Sequence, residues 1–224
     1  MESHWIGYIG GMKVHFDTLI MMWASMALII FISFILTRNL SIVPKKAQTA
    51  AENIVTFFKN SLSGLKDGEK HVPLAASLFL FILTANLIGQ LPLRLVHLKQ
   101  GELASPSNDI NLTAALAVIV LIYYIYQGIK TKGIRYIYHG LSITGIITTL
   151  VDVLEMFTRP LSLALRLFAN ILAGEILVSV MLGLFAFLAP VPVILFEVFV
   201  AFIQAFVFMM LSIAYITSAV SEEH

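Results

Sequence analysis

Cysteine is absent from the 224 residues, which excludes disulfides, thiol nucleophiles and cysteine–metal sites. Charge is scarce as well. Asp, Glu, Lys and Arg make up 12% of the chain, against roughly 25% in an ordinary soluble domain. So few charges cannot cover a soluble globule, and a soluble enzyme, a disordered chain and a nucleic-acid binder are all disfavoured. The formal net charge of +1 leaves no basic patch for nucleic acid. What is plentiful is apolar: hydrophobic residues are 59% of the sequence, and the mean hydropathy is +0.92. The class that remains is an all-α polytopic membrane protein with lipid as its surroundings.

Residues 19–36 are 18 positions without a charge, close to the roughly 20 that a helix needs to cross a bilayer core. The few preceding charges are of mixed sign and no small-residue cleavage site follows, so this is a span and not a signal peptide. Further spans are expected at 73–91 and 110–128. The block 148–219 is long enough for two more helices folded as a hairpin, all within a single membrane domain, 1–224. Pro190 and Pro192 mark the turn of that hairpin, because proline removes a helical hydrogen bond. Between the first two spans, Ile54, Phe57, Phe58, Leu62 and Leu65 recur at helical spacing among basic residues. That pattern predicts an amphipathic surface helix over 48–66; a solvated connector is the plainer alternative.

Lysine and arginine orient such a chain. Residues 38–72 carry Arg38, Lys45, Lys46, Lys59, Lys66 and Lys70, and residues 129–147 add Lys130, Lys132 and Arg135. The opposite side has Lys13, Arg94 and Lys99. The richer side is expected to be cytoplasmic, which places the N-terminus outside and the C-terminus inside. No internal repeat is visible, which counts against most secondary-transporter folds.

Ionisable groups at membrane depth are costly and by default functional. With about 100° per residue, Asp152, Glu155, Arg159, Ser162, Asn170 and Ala173 fall within about 40° of Arg166 on one helix stripe. Glu175 falls at about 180°, on the opposite face. Glu155 and Arg159 have the spacing of an ordinary helix ion pair, and Asp152, Glu155 and Arg159 lie where long side chains reach the interface. Those three fit a structural role as well as a functional one. Arg166 does not. Its nearest same-face acid, Glu155, is about 16 Å away along the axis, and a guanidinium stays charged. On the last helix, Glu197, Gln204 and Tyr215 share a face and read as a lined pathway, although a lone glutamine also serves as a helix–helix hydrogen bond. A helix over roughly 152–188 would measure about 54 Å, far more than the core thickness, so a strongly tilted hairpin is expected.

These residues support a resemblance. The run Arg-Pro-Leu-Ser-Leu-Ala-Leu-Arg-Leu-Phe-Ala-Asn-Ile-Leu-Ala-Gly-Glu at 159–175 closely resembles the signature of subunit a of F-type ATP synthases. So do Ile-Gln-Ala-Phe-Val-Phe at 203–208, Tyr215, and Pro-Ser-Asn-Asp-Ile-Asn-Leu-Thr at 106–113. The resemblance spans nearly the whole chain. It implies a non-catalytic stator with no cofactor and no metal, which borders a ring of c subunits and contacts subunit b of the peripheral stalk. Two offset half-channels would lead ions to a carboxylate on each c subunit. By resemblance, Arg166 matches the essential arginine, and Asn170, Glu175, Gln204 and Tyr215 match the other polar positions. Glu197 stands where the family varies, and Gly89 and Gln90 stand where some members have an acid. Asp152 and Glu155 fit the cytoplasmic exit. The short N-terminus and Glu175 favour a bacterial plasma (inner) membrane over a thylakoid. The rival readings are a stand-alone ion channel or secondary transporter, which needs a complete internal ligand set, and a passive anchor, which leaves Arg166, Glu175 and Gln204 without a purpose.

Overall fold

The computed structural model describes residues 6–9, 11–38, 40–42, 44, 46–64, 68–90, 105–136, 143–184 and 190–220. It opens with a feature absent from the sequence reading, a hairpin of β1 (Ile6–Ile9) and β2 (Met12–His15). The strands pair antiparallel, Ile6 with His15 and Ile9 with Met12. Gly11 in the turn has φ +85°, a left-handed conformation that glycine adopts without steric cost. The Gly-Gly pair between short β-prone runs was the available signal. β2 leads straight into α1 (Phe16–Thr37).

α1 carries outward-facing Trp23, Ile30, Phe31, Phe34 and Ile35, the surface expected of a helix solvated by lipid. Two of its hydroxyls bond within the helix: Ser25 donates to the Met21 carbonyl at 2.8 Å and Thr37 to that of Ser33 at 2.8 Å. Four more helices are long and apolar enough to cross a membrane: α3 (Val72–Gln90), α4 (Ile110–Lys132), α5 (Ile143–Leu184) and α6 (Pro190–Val220). Between α1 and α3, α2 (Lys46–Ser61) is amphipathic. It is docked: Phe58 and Leu62 lie in the core, Phe58 meets Phe79 edge-on, and Phe57 meets Phe206. Ile54 and Val55 stay exposed.

The core lies between α3, α4, α5 and α6. It is built from Leu78, Phe79 and Ile82, Leu116, Val120 and Tyr124, Leu163 and Leu167, and Phe208, Met209 and Ile213. Two features of the C-terminal block differ from the sequence expectation. Pro190 and Pro192 do not form the turn; they open α6, where a first-turn proline loses no helical bond. And α5 starts at Ile143, ahead of the roughly 152 expected, while Pro160 lies inside it as a helix over 152–188 requires. Proline at that position cannot donate to the Met156 carbonyl. The Tyr124 hydroxyl donates to that carbonyl instead, at 3.3 Å, so α4 supplies the missing bond.

Candidate functional site

At the end of the bundle that carries the β-hairpin, a 3₁₀ turn over Pro106–Asn108 leads into α4. Asp109 caps that helix: its Oδ1 accepts from the backbone N–H and the side-chain amide of Asn111, both at 2.9 Å. Its other oxygen faces the hairpin and lies 2.8 Å from His15 Nδ1 and 3.1 Å from Thr18 Oγ1. Burial pushes the Asp109 carboxyl up, but the Asn111, His15 and Thr18 hydrogen bonds and the adjacent imidazole outweigh it, so Asp109 titrates below the usual aspartate value.

The same turn grips Glu175 of α5. Asn108 Nδ2 donates to one carboxylate oxygen at 2.5 Å and the Ser105 N–H to the other at 3.2 Å. Glu175 is buried. Gly89 makes the fit possible, since a Cβ there would stand 2.3 Å from Ser105 Cβ. Beside this cluster is a pocket of about 550 Å³ lined by His15, Asn108, Asp109, Asn111, Glu175 and Ser179, among others. A second pocket of about 170 Å³ is lined by Gln90, Asn170, Gly174 and Glu197. Here Glu197 of α6 lies against Gly174, where a Cβ would come within 2.8 Å of its Oε1. The two glutamates therefore flank consecutive positions of α5.

Towards its N-terminal half, α5 holds a different cluster. Arg159 pairs with Glu155, donates to Ser218 Oγ at 3.0 Å and sits 5.3 Å from the centre of the Tyr215 ring. Tyr215 lies 6.2 Å from Tyr124, centroid to centroid. Tyr136, in the 3₁₀ turn after α4, belongs to the same surroundings. Burial raises its phenol, nearby Arg159 opposes that, and Asp152 and Glu155 add to it.

Arg166 lies between these two clusters and joins neither. It is exposed on the chain, and its one hydrogen bond among the described residues is a 3.5 Å contact with Ser162 Oγ. No acidic partner for it is found among the described residues. Of the expected stripe, Ser162 and Ala173 are exposed with it, whereas Asp152, Glu155, Arg159 and Asn170 are half-buried. Gln204 is buried on α6 and its Nε2 has no hydrogen-bond partner among the described residues; neither amide atom of the fully buried Asn86 has one. Glu155, Arg159 and Tyr215 come together, and Asn170 and Glu197 line one pocket. Sequence reasoning missed His15, Asp109, Asn108 and Ser105 as partners around Glu175. An Asp-x-Asn cap at 109–111 signalled the turn, but nothing local signalled its contacts.

Apolar helices with buried carboxylates and amides and an open guanidinium at Arg166 make this a largely helical polytopic membrane protein. Residues 19–217 match the family described as ATP synthase A chain. The chain is 44% identical over 225 aligned positions to ATP synthase subunit a of Gloeobacter violaceus, covering 99% of this chain and 90% of that relative. The chain belongs to the ATP synthase subunit a family, whose part in ATP synthesis is a membrane-embedded one.

Proposed function

We propose that this chain is the ion-translocating stator of an F-type ATP synthase, supplying two half-channels and an arginine that couple ion flow to rotation of a c-subunit ring. The observation that carries the reading is the open setting of Arg166, with no acidic partner among the described residues, on a helix apolar enough to span a membrane. A cation left in lipid at the helix centre costs about 2.5–3.5 kcal/mol or more. A partner that brings a carboxylate past this face removes that cost.

Glu175 stands about 14 Å along α5 on one side of Arg166, and Glu155 about 16 Å on the other. The Glu175–Glu197–Asn170 region forms the outward half-channel. Asp152, Glu155, Arg159 and Tyr215 form the cytoplasmic one, and Gln204 lines the interior between them. A c-subunit carboxylate must be neutral while it faces lipid. Beside Arg166 its ionised form is favoured, because an adjacent positive charge stabilises it. The ion is then released to one half-channel. The fixed guanidinium also repels a cation that would pass directly between the half-channels, so rotation becomes the permitted route. Each unit charge that crosses 100 mV yields about 2.3 kcal/mol.

The nine basic residues at 38–72 and 129–147 support a cytoplasmic side for those segments, with the N-terminus outside and the C-terminus inside a bacterial plasma membrane. α5, at 42 residues, is about 63 Å long, and it crosses with strong tilt, wrapping the ring. Subunit b holds the chain to the stalk, and ATP chemistry takes place on other subunits. Reconstitution of the purified chain alone tests the reading against a stand-alone channel. Without the ring, vesicles are expected to show no steady, selective ion flux; sustained flux by the chain alone would contradict the proposal.

A further inference from the structure

The His15 side chain reaches away from the helix that it precedes. It is the residue before α1, yet its side chain makes no cap to that helix. Instead it reaches 94 positions along the chain to Asp109. Asp109 is one residue from Asn108, and the two residues face opposite partners: Asp109 takes the hairpin, Asn108 takes Glu175. The turn that presents Asn108 and Ser105 to Glu175 is thus anchored from behind by His15 and Thr18. His15 keeps about a quarter of its side chain exposed, at 27%, against 6% for Asp109. It also lines the wall of the larger pocket together with Glu175, so solvent protons reach its ring.

We infer that His15 is a pH-responsive positioning residue for the ion pathway: as imidazolium it grips Asp109 and steadies the Pro106–Asn108 turn on Glu175, and on losing its charge it relaxes that grip. This rests on the proposed role of Glu175 in an outward half-channel. Histidine is the side chain that changes charge between about pH 5 and 8, and a hydrogen bond between charged partners is about twice as strong as a neutral one. The neutral ring still donates through Nδ1 in one tautomer, so the expected response is a graded loosening. Among the described residues, the titratable groups on the elements packed around the pair include Tyr8 of β1, the strand paired with β2. α1 contributes the buried Asp17, β2 the exposed Lys13, and α5 the Glu175 on the same pocket; α3 carries no titratable residue.

The test uses the assembled synthase in inverted vesicles, driven by a clamped potassium potential, with the luminal pH varied. Three chains are compared: wild type, His15→Ala and His15→Asn, the last keeping a donor near the Nδ1 position without a titrating charge. Synthesis is expected to fall in His15→Ala and to recover in part in His15→Asn. The ratio of wild type to His15→Asn is expected to drop about fivefold as luminal pH rises from about 5.5 to about 8.5, the difference between a charged and a neutral bond. A ratio that stays flat across that range overturns the inference, as does a normal rate and profile in His15→Ala. If His15→Ala does not assemble, His15→Asn decides alone; loss of assembly in both assigns His15 to the fold and also overturns it. Arg166→Ala, run in parallel, separates the two levels. Normal synthesis there defeats the stator reading itself, whereas its loss beside a flat His15→Asn ratio defeats only the role of His15.

Discussion

Asp109 shows how one side chain can serve two elements. One oxygen caps α4 and the other ties down the hairpin, so its substitutions separate the two tasks. Asp109→Asn keeps the cap, because Asn caps as well as Asp, but gives up the charge facing His15. The Asp109 carboxyl is held below its usual value. It therefore contributes stability that is fully present above the unfolded aspartate value of about 3.9 and is lost as pH falls through the lowered native one. Thermal unfolding between neutral and strongly acidic pH should show wild type about 1 kcal/mol above Asp109→Asn at neutral pH, with the gap closing in acid. A constant gap would show that the charge plays no part. Glu175 and Glu197 make a second residue-scale prediction. Cysteines at these positions in the assembled complex should react with hydrophilic silver or thiol reagents, and joint protection of both would contradict an aqueous route to them.

At the scale of elements, α5 and α4 are joined through a backbone defect. Pro160 leaves the Met156 carbonyl open and Tyr124 fills it. Tyr124→Phe should cost about 1–2 kcal/mol in wild type, because it leaves a buried acceptor unpaired. In a Pro160→Ala background the helix supplies its own donor, and the same change should cost little. A double-mutant cycle on unfolding in detergent reads the coupling directly; additive costs would mean that the hydroxyl and the proline are unconnected. This defect also marks what was legible. The apolar runs announced the spans, because length and hydropathy decide membrane crossing locally. The 3.6-residue period set Arg166 and Glu175 on opposite faces, and the structure has one exposed and the other buried. The first-turn prolines of α6 were harder to read. Whether a proline ends, bends or starts a helix depends on who else can satisfy the freed carbonyl. The His15–Asp109 and Asn108–Glu175 contacts join positions 94 and 67 residues apart, and no local pattern encodes such pairs.

At the scale of the whole molecule, α5 carries one polar cluster around Glu155 and Arg159 and another around Glu175, with the Arg166 cation between them. The proposed orientation has its own check: Lys59 on α2 should be labelled by impermeant amine reagents from the cytoplasmic face and not in intact cells, and labelling in intact cells would reverse the topology. The account as a whole turns on Arg166, which the fold does not use. Arg166→Lys should fail too, since lysine loses its proton when desolvated and lacks the planar guanidinium fork. The most direct measurement is ion-driven ATP synthesis in inverted vesicles that contain assembled Arg166→Ala complex, with assembly verified by co-purification of the c ring. The account predicts normal assembly, a loss of coupled synthesis of at least about a hundredfold, and a passive leak where the barrier stood. Near-normal coupled synthesis by Arg166→Ala would contradict it.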